Sequence, residues 1–416
     1  MKTRNEMVNW GIGIVLLFPL FFQLSSGIYK GLLVDSGGNI ATLPIPIAVF
    51  ACFGGIALLS ANFRQTYAAM AFIASMLFVM LLSVAFAGSE YQLELRKLIV
   101  LAQFLIPTFA LVLGQMVNDN DKTIPKAFLT VLLLVVPAQL VAGWLQGTLT
   151  LTHNLYVFSI YQHFQFVPLI FVCAFIYAMV ALWETHKVLL LILLPFMFIY
   201  ATASVSFLTI AAFLIFVAAF TYRKLVVDKN IPRGFIPVII VVLVALTAAG
   251  TGTYLSIAQT KTSITGDDGQ YIGKFKTLSE GKLPLNLSDR FSDWRLFGKG
   301  IVESPRTFVF GHVTPMARAV RTSAHNWYID ITYSFGLLSL LPVCLLIVFT
   351  MHLFWRTRIN LTPEIQCLAL VVLYLVVIDS NFKVTLRQPY SGIFTFFLWG
   401  LLLSRLRGAA TRRLGA

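Results

Sequence analysis

The stretch Arg321-Thr322-Ser323-Ala324-His325-Asn326-Trp327-Tyr328-Ile329-Asp330 carries the clearest chemical capacity in this sequence. Ser323 or Asn326 can cap a helix that starts here by accepting from its first backbone N–H groups. His325 then sits at the helix N-terminus. The positive end of the helix dipole disfavours imidazolium and keeps the ring neutral. A neutral imidazole accepts a proton, as a general base must. The same helix end attracts phosphate. Arg318 and Arg321, just upstream, can grip phosphate oxygens through paired N–H bonds. The plainer alternative is an interfacial histidine that anchors an apolar helix beside Trp327 and Tyr328.

Other polar residues invite weaker readings. Asp330 lies one turn beyond Asn326, where it either orients the histidine region or an acceptor, or forms a structural pair. Asp379 and Lys383 are four apart, a spacing that pairs them on one helix face, with substrate contact as the alternative. His163 follows Gln162 at the outer end of an apolar run and is a further candidate lining residue. His153 and His312 read as solvated, and His186 and His352 fall near the opposite face.

These residues need elements to hold them. Of 416 residues, 58% are hydrophobic and 12% charged. Soluble domains carry about 25% charge, so this composition argues against a soluble enzyme and a disordered chain. The apolar stretches are continuous, without the period-two alternation of a membrane barrel. The reading is an all-α polytopic integral membrane protein forming a single membrane domain over 1–416. Twelve runs qualify as spans: 8–24, 43–60, 67–87, 97–117, 127–147, 164–183, 188–203, 205–221, 235–257, 326–353, 364–380 and 391–406.

With the N-terminus inside, sixteen Lys and Arg fall on the cytoplasmic side and five in the short outer loops. That bias places both termini in the cytoplasm. It also gives the net charge of +14 a topological meaning, with no nucleic acid partner implied. Arg405, Arg407, Arg412 and Arg413 set topology and touch anionic membrane lipid. Residues 258–325 form the single long loop, outside, with ten basic and six acidic residues. Trp294, Phe297, Phe308 and Phe310 give it the means to fold against the membrane. Cys52, Cys173, Cys344 and Cys367 sit in apolar runs without metal or paired spacing. The sequence shows no phosphate-binding glycine loop, zinc spacing, dinucleotide motif or internal repeat.

His325-Asn326 followed by Tyr328, then Phe335-Gly336-Leu337-Leu338, resembles the signature of the bacterial O-antigen polymerase and O-antigen ligase superfamily. Arg290, Trp294 and Phe310-Gly311 are similar to that family's pattern before the histidine. The motif part spans 288–340; elsewhere topology and hydropathy carry the resemblance. It implies a glycosyltransferase in the bacterial inner membrane. The donor would be a glycan on undecaprenyl pyrophosphate, and the acceptor a glycan or the lipid A core. No metal or other cofactor is implied. By the match, His325 deprotonates the acceptor hydroxyl and Arg290 holds the pyrophosphate. Many members carry a Ser-Arg pair in mid-chain where this sequence reads Ser204-Val205-Ser206. The missing ligand then has to come from elsewhere, and Arg387 and Lys383, in the last outer loop, are the candidates.

Polymerase is the leading reading, with ligase as its nearest alternative. A transporter or flippase of a lipid-linked or anionic solute is the rival of another class. It requires charges deep in several spans and paired broken helices, largely missing from the sequence pattern. The sugar and its linkage are left open, as is any chain-length regulator.

Overall fold

A computed structural model describes residues 4–22, 45–86, 95–119, 121–145, 166–204, 206–224, 285–313 and 323–414. Helices dominate them: α1 (Arg4–Leu17), α2 (Ile47–Leu58), α3 (Tyr67–Phe86), α4 (Leu95–Leu105), α5 (Phe109–Met116), α6 (Thr123–Leu145), α7 (Val167–Ala203), α8 (Phe207–Tyr222), α9 (Leu285–Ile301), α10 (Pro305–Phe310), α11 (Trp327–Phe335), α12 (Leu340–Thr357), α13 (Pro363–Leu373) and α14 (Pro389–Leu414). Among the described residues the one strand pairing is two residues long, Phe21–Phe22 antiparallel to Ile45–Pro46.

Among the described residues, six helical segments are long and apolar enough to cross a bilayer: Tyr67–Phe86, Thr123–Ala142, Val167–Ala203, Leu337–Thr357, Pro363–Phe382 and Pro389–Ala410. Ile47–Leu58, Val100–Met116 and Leu208–Tyr222 are apolar but shorter. On α12, Leu341, Leu345, Val348, Met351 and Trp355 form an exposed apolar stripe. Their spacing of three and four places them on one face, suited to hydrocarbon and unsuited to water.

The chain divides into two compact units, one of residues 1–127 with 289–416, the other of 128–288. In the second, α7 turns back on itself at His186, whose backbone (φ −130°, ψ 26°) leaves the helical region. Phe171 and Tyr200 stack with ring centroids 5.6 Å apart. A straight helix would separate residues 29 apart by about 44 Å at 1.5 Å per residue. The polar run Glu184-Thr185-His186-Lys187 interrupts the apolar pattern and provides the turn. The runs at 164–183 and 188–203 are thus two antiparallel arms. α8 packs on both, with Phe213 at 6.4 Å from Phe175 and 5.8 Å from Phe198.

In the first unit α5 and α14 cross closely. Gly114 lies under the backbone of Phe397 and Gly400 under that of Leu111. Small residues at a crossing allow this approach between apolar helices. Arg405 is partly buried, with its guanidinium 3.5 Å from both Asp119 and Glu364. It therefore ties α14 to neighbouring segments, a role beyond the expected contact with lipid headgroups.

The run expected as one span over 326–353 is broken. α11 ends at Gly336, and a new apolar helix runs from Leu337 to Thr357.

Candidate active site

α11 begins as its sequence dictates. Asn326 is the cap: its side-chain oxygen accepts from Tyr328 N–H at 2.9 Å and Ile329 N–H at 3.1 Å. Its amide nitrogen donates to Asn381 Oδ1 at 3.2 Å. Ser323, the alternative cap, has another task. Its hydroxyl donates to Asp330 Oδ2 at 2.8 Å and accepts the His325 N–H at 3.0 Å. His325 itself adopts φ +52°, an uncommon conformation that these contacts hold. Its side chain is 47% exposed.

Asp330 is the buried hub. Besides Ser323 it accepts from Ala324 N–H at 2.7 Å and from Arg387 Nη1 at 3.2 Å. Arg387 Nε donates to Gln103 Oε1 at 2.8 Å, and the guanidinium lies 5.5 Å from the centre of the Phe104 ring. A guanidinium has five N–H donors, so these bonds orient Arg387 without exhausting it.

Lys383 and Asp379 form the expected pair, 3.1 Å apart and buried. Thr385 donates to the other oxygen of Asp379. Asp379 closes a π-helical turn, Tyr374–Asp379, of the kind often found at functional sites. Tyr328 Oη donates to Val376 O in that turn at 2.8 Å, and Trp327 N–H donates to Lys383 O at 3.2 Å. The N-terminus of α11 is therefore bound to the segment 374–387 at several points.

α9 brings in the loop. Phe297 packs edge-on against Tyr333 of α11, with centroids 4.9 Å apart, beside Ala324. Asp293, one turn earlier, reaches His325: Oδ2 lies 3.7 Å from Nδ1. Arg290, one residue short of a further turn, feels both Asp379 and Asp293. Burial pulls its guanidinium below the usual arginine range, and the two carboxylates oppose that fall. Trp294 stacks obliquely on Phe382, with centroids 6.1 Å apart.

Two glycines of the sequence pattern join α10 to α11. Gly311 (φ +73°, ψ −170°) and Gly336 (φ +75°, ψ 175°) occupy a region essentially closed to other residues. A Cβ on Gly311 would come within 2.5 Å of the backbone at Ser334–Gly336, and one on Gly336 within 2.0 Å of Val309 O. His312 N–H donates to Tyr333 O at 2.9 Å and Val313 N–H to Ser334 O at 2.7 Å.

Arg290, His325, Asn326, Asp330, Lys383 and Arg387 are thus gathered in one place. Arg318, Arg321 and His163 lie outside the described residues, as does most of the loop 258–325. His312, expected in solvent, stacks on Tyr333 at 4.4 Å and contacts Gly300 O at 3.0 Å. Asp293, on α9, faces His325 and interacts electrostatically with Arg290. Ser323, Gln103 and Asp293 were missed as site residues. The signal for Asp293 is local: Asp293, Phe297 and Gly300 share a helix face at i, i+4 and i+7. Among the described residues no three His, Cys, Asp or Glu side chains group as metal ligands. No protein-family model matches the chain, and no curated protein matches it.

Proposed function

We propose that the chain is a glycosyltransferase of the O-antigen polymerase and ligase type, acting at the periplasmic face of the bacterial inner membrane. What supports the reading most is the convergence of His325, Arg290, Lys383 and Arg387 at the N-terminus of α11. They come from three separate parts of the sequence. In the proposed reaction His325 takes the proton of an acceptor hydroxyl. The freed oxygen attacks the anomeric carbon of the lipid-linked glycan. The bond to the pyrophosphate breaks, and undecaprenyl pyrophosphate leaves with the electron pair. Its charge needs fixed cations, and positioning supplies much of the rest of the catalysis.

The test is transfer by the purified protein from a defined undecaprenyl-pyrophosphate glycan. A lengthened glycan is the expected product, and it should form in the presence of a chelator. Full loss on chelation, restored by magnesium, would overturn the arginine account. The helix break at Gly336 is a feature that a transporter reading would use, so the assay reads covalent product. Movement of donor without product would favour that rival. Polymerase and ligase separate in a deletion strain. Loss of chains beyond one repeat indicates a polymerase; loss of all attached chains, with polymer building up on the carrier, indicates a ligase.

The topology belongs to the same proposal: twelve spans, both termini cytoplasmic, and 258–325 in the periplasm. A cysteine placed by Thr277→Cys should react with an impermeant reagent added outside. Labelling only from the cytoplasmic side would reverse the orientation and remove the site from its donor.

Arg290 is the first phosphate ligand in this scheme. A lysine keeps its charge but loses the planar fork that holds two oxygens. Arg290→Lys should cut transfer strongly, on the order of tenfold or more if one bidentate contact worth about 1.5–3 kcal/mol is lost. The exposed Arg295, on the same helix, is the control, and Arg295→Lys should leave transfer unchanged. The opposite pattern would move the phosphate site. Lysine variants at Arg318, Arg321 and Arg387 then identify the remaining ligands.

A further inference from the structure

We infer that Asp293 is the positioning carboxylate of His325: it holds the Nδ1 edge of the ring and leaves Nε2 to meet the acceptor hydroxyl. The inference rests on the proposed role of His325 as base.

Asp293 is 3% exposed, whereas the His325 side chain is half exposed. One edge of the imidazole thus lies toward a buried carboxylate, 3.7 Å away, while much of the ring remains accessible. That separation is longer than a hydrogen bond. Contacts of this kind are often long without substrate and tighten when it binds.

The packing of α9 delivers Asp293 to this place. Phe297, four residues on, is buried against Tyr333 and Ala324. Gly300, three further, leaves room for the same Tyr333 ring: a Cβ there would fall 2.7 Å from it. These contacts set the register of α9 on α11, so Asp293 is placed by the fold rather than drawn in by charge alone. The backbone of His325 is held from the other side, through Ser323 and Asp330. Backbone and ring are thus located by separate elements.

The chemical consequence concerns the proton. An ionised carboxylate only accepts, so the nitrogen facing it carries the hydrogen. His325 is then the Nδ1–H tautomer, with the lone pair on Nε2 directed to the accessible side. The same logic governs the aspartate of the serine-protease triad. The competing role for Asp293 is to hold Arg290, whose charge it also feels.

The experiment uses the full-length protein in detergent or nanodiscs, with Asp293→Asn, Asp293→Ala and His325→Ala. Transfer is measured as kcat and donor KM, and 15N-histidine spectra report the tautomer, with the His325 signals identified by their loss in His325→Ala. Asp293→Asn should lower kcat at least about tenfold, against about 10²–10⁴ for loss of the base, with donor KM unchanged. Wild type should show Nδ1 protonated, and Asp293→Ala should shift His325 toward the Nε2–H form. If His325→Ala is inactive while both Asp293 variants keep wild-type kcat and spectra, the positioning role is overturned and the base stands. If Asp293→Asn raises donor KM at unchanged kcat, Asp293 serves Arg290 and the inference fails. If His325→Ala remains active, the base reading itself falls.

Discussion

His325→Ala should abolish glycan transfer while leaving the protein inserted, folded and able to bind donor. Removing a general base lowers the rate by about 10²–10⁴. The ring is dispensable for packing, since its side chain is half exposed and the local fold is held by its backbone N–H and by neighbours. An alanine keeps that N–H. The φ of +52° is less favourable for alanine than for histidine, and this adds a small loss of stability. Rate and stability therefore separate in this variant. Steady-state transfer and thermal unfolding in the same detergent measure both. Near-normal transfer would reduce His325 to an anchoring residue.

Asp330→Ala should do the reverse, with a large effect on stability that carries activity with it. Asp330 satisfies a hydroxyl, a backbone N–H and the Arg387 guanidinium at once. Its loss leaves a partly buried cation without its carboxylate. Breaking a buried pair from one side costs about 3–5 kcal/mol. Ser323 would also lose the acceptor that orients it, and with it the hold on His325. The double variant Asp330→Ala/Arg387→Met should recover part of the stability, because no uncompensated charge remains. It should not recover transfer. A thermal midpoint for Asp330→Ala indistinguishable from wild type would show that the network carries no structural weight.

Local patterns were legible in the sequence. The run at 67–87 became the helix Tyr67–Phe86, and the polar break at 184–187 became the turn of a hairpin. The cap by Asn326 and the Lys383–Asp379 pair depend only on short spacings, and both are present. The end of α11 was hidden because Phe335-Gly336-Leu337-Leu338 stays apolar throughout. Backbone geometry, rather than polarity, stops the helix there.

The network around Asp330 was illegible for a different reason. Arg387 meets Asp330 across 57 positions and Gln103 across 284. Contacts at such separations leave no period to read. Gln103 showed only as a polar residue in an apolar run, and Arg387 entered through the resemblance as a phosphate ligand. The structure gives Arg387 a second task, that of holding Asp330. Asp293 sits among other charges in the sequence, and only the helix face it shares with Phe297 marks it as turned toward α11.

The joint between Gly311 and Gly336 has a consequence for how this protein can vary. A side chain added at either glycine would strike main-chain atoms, at Ser334–Gly336 in one case and at Val309–Phe310 in the other. Main chain is common to every amino acid, so no exchange at a neighbouring position could open the space. The two sites therefore lack the partner substitutions by which most packed contacts drift together over generations. A lineage that keeps α10 docked on α11 keeps both glycines, and one that loses either must rebuild the approach to His325 by another path.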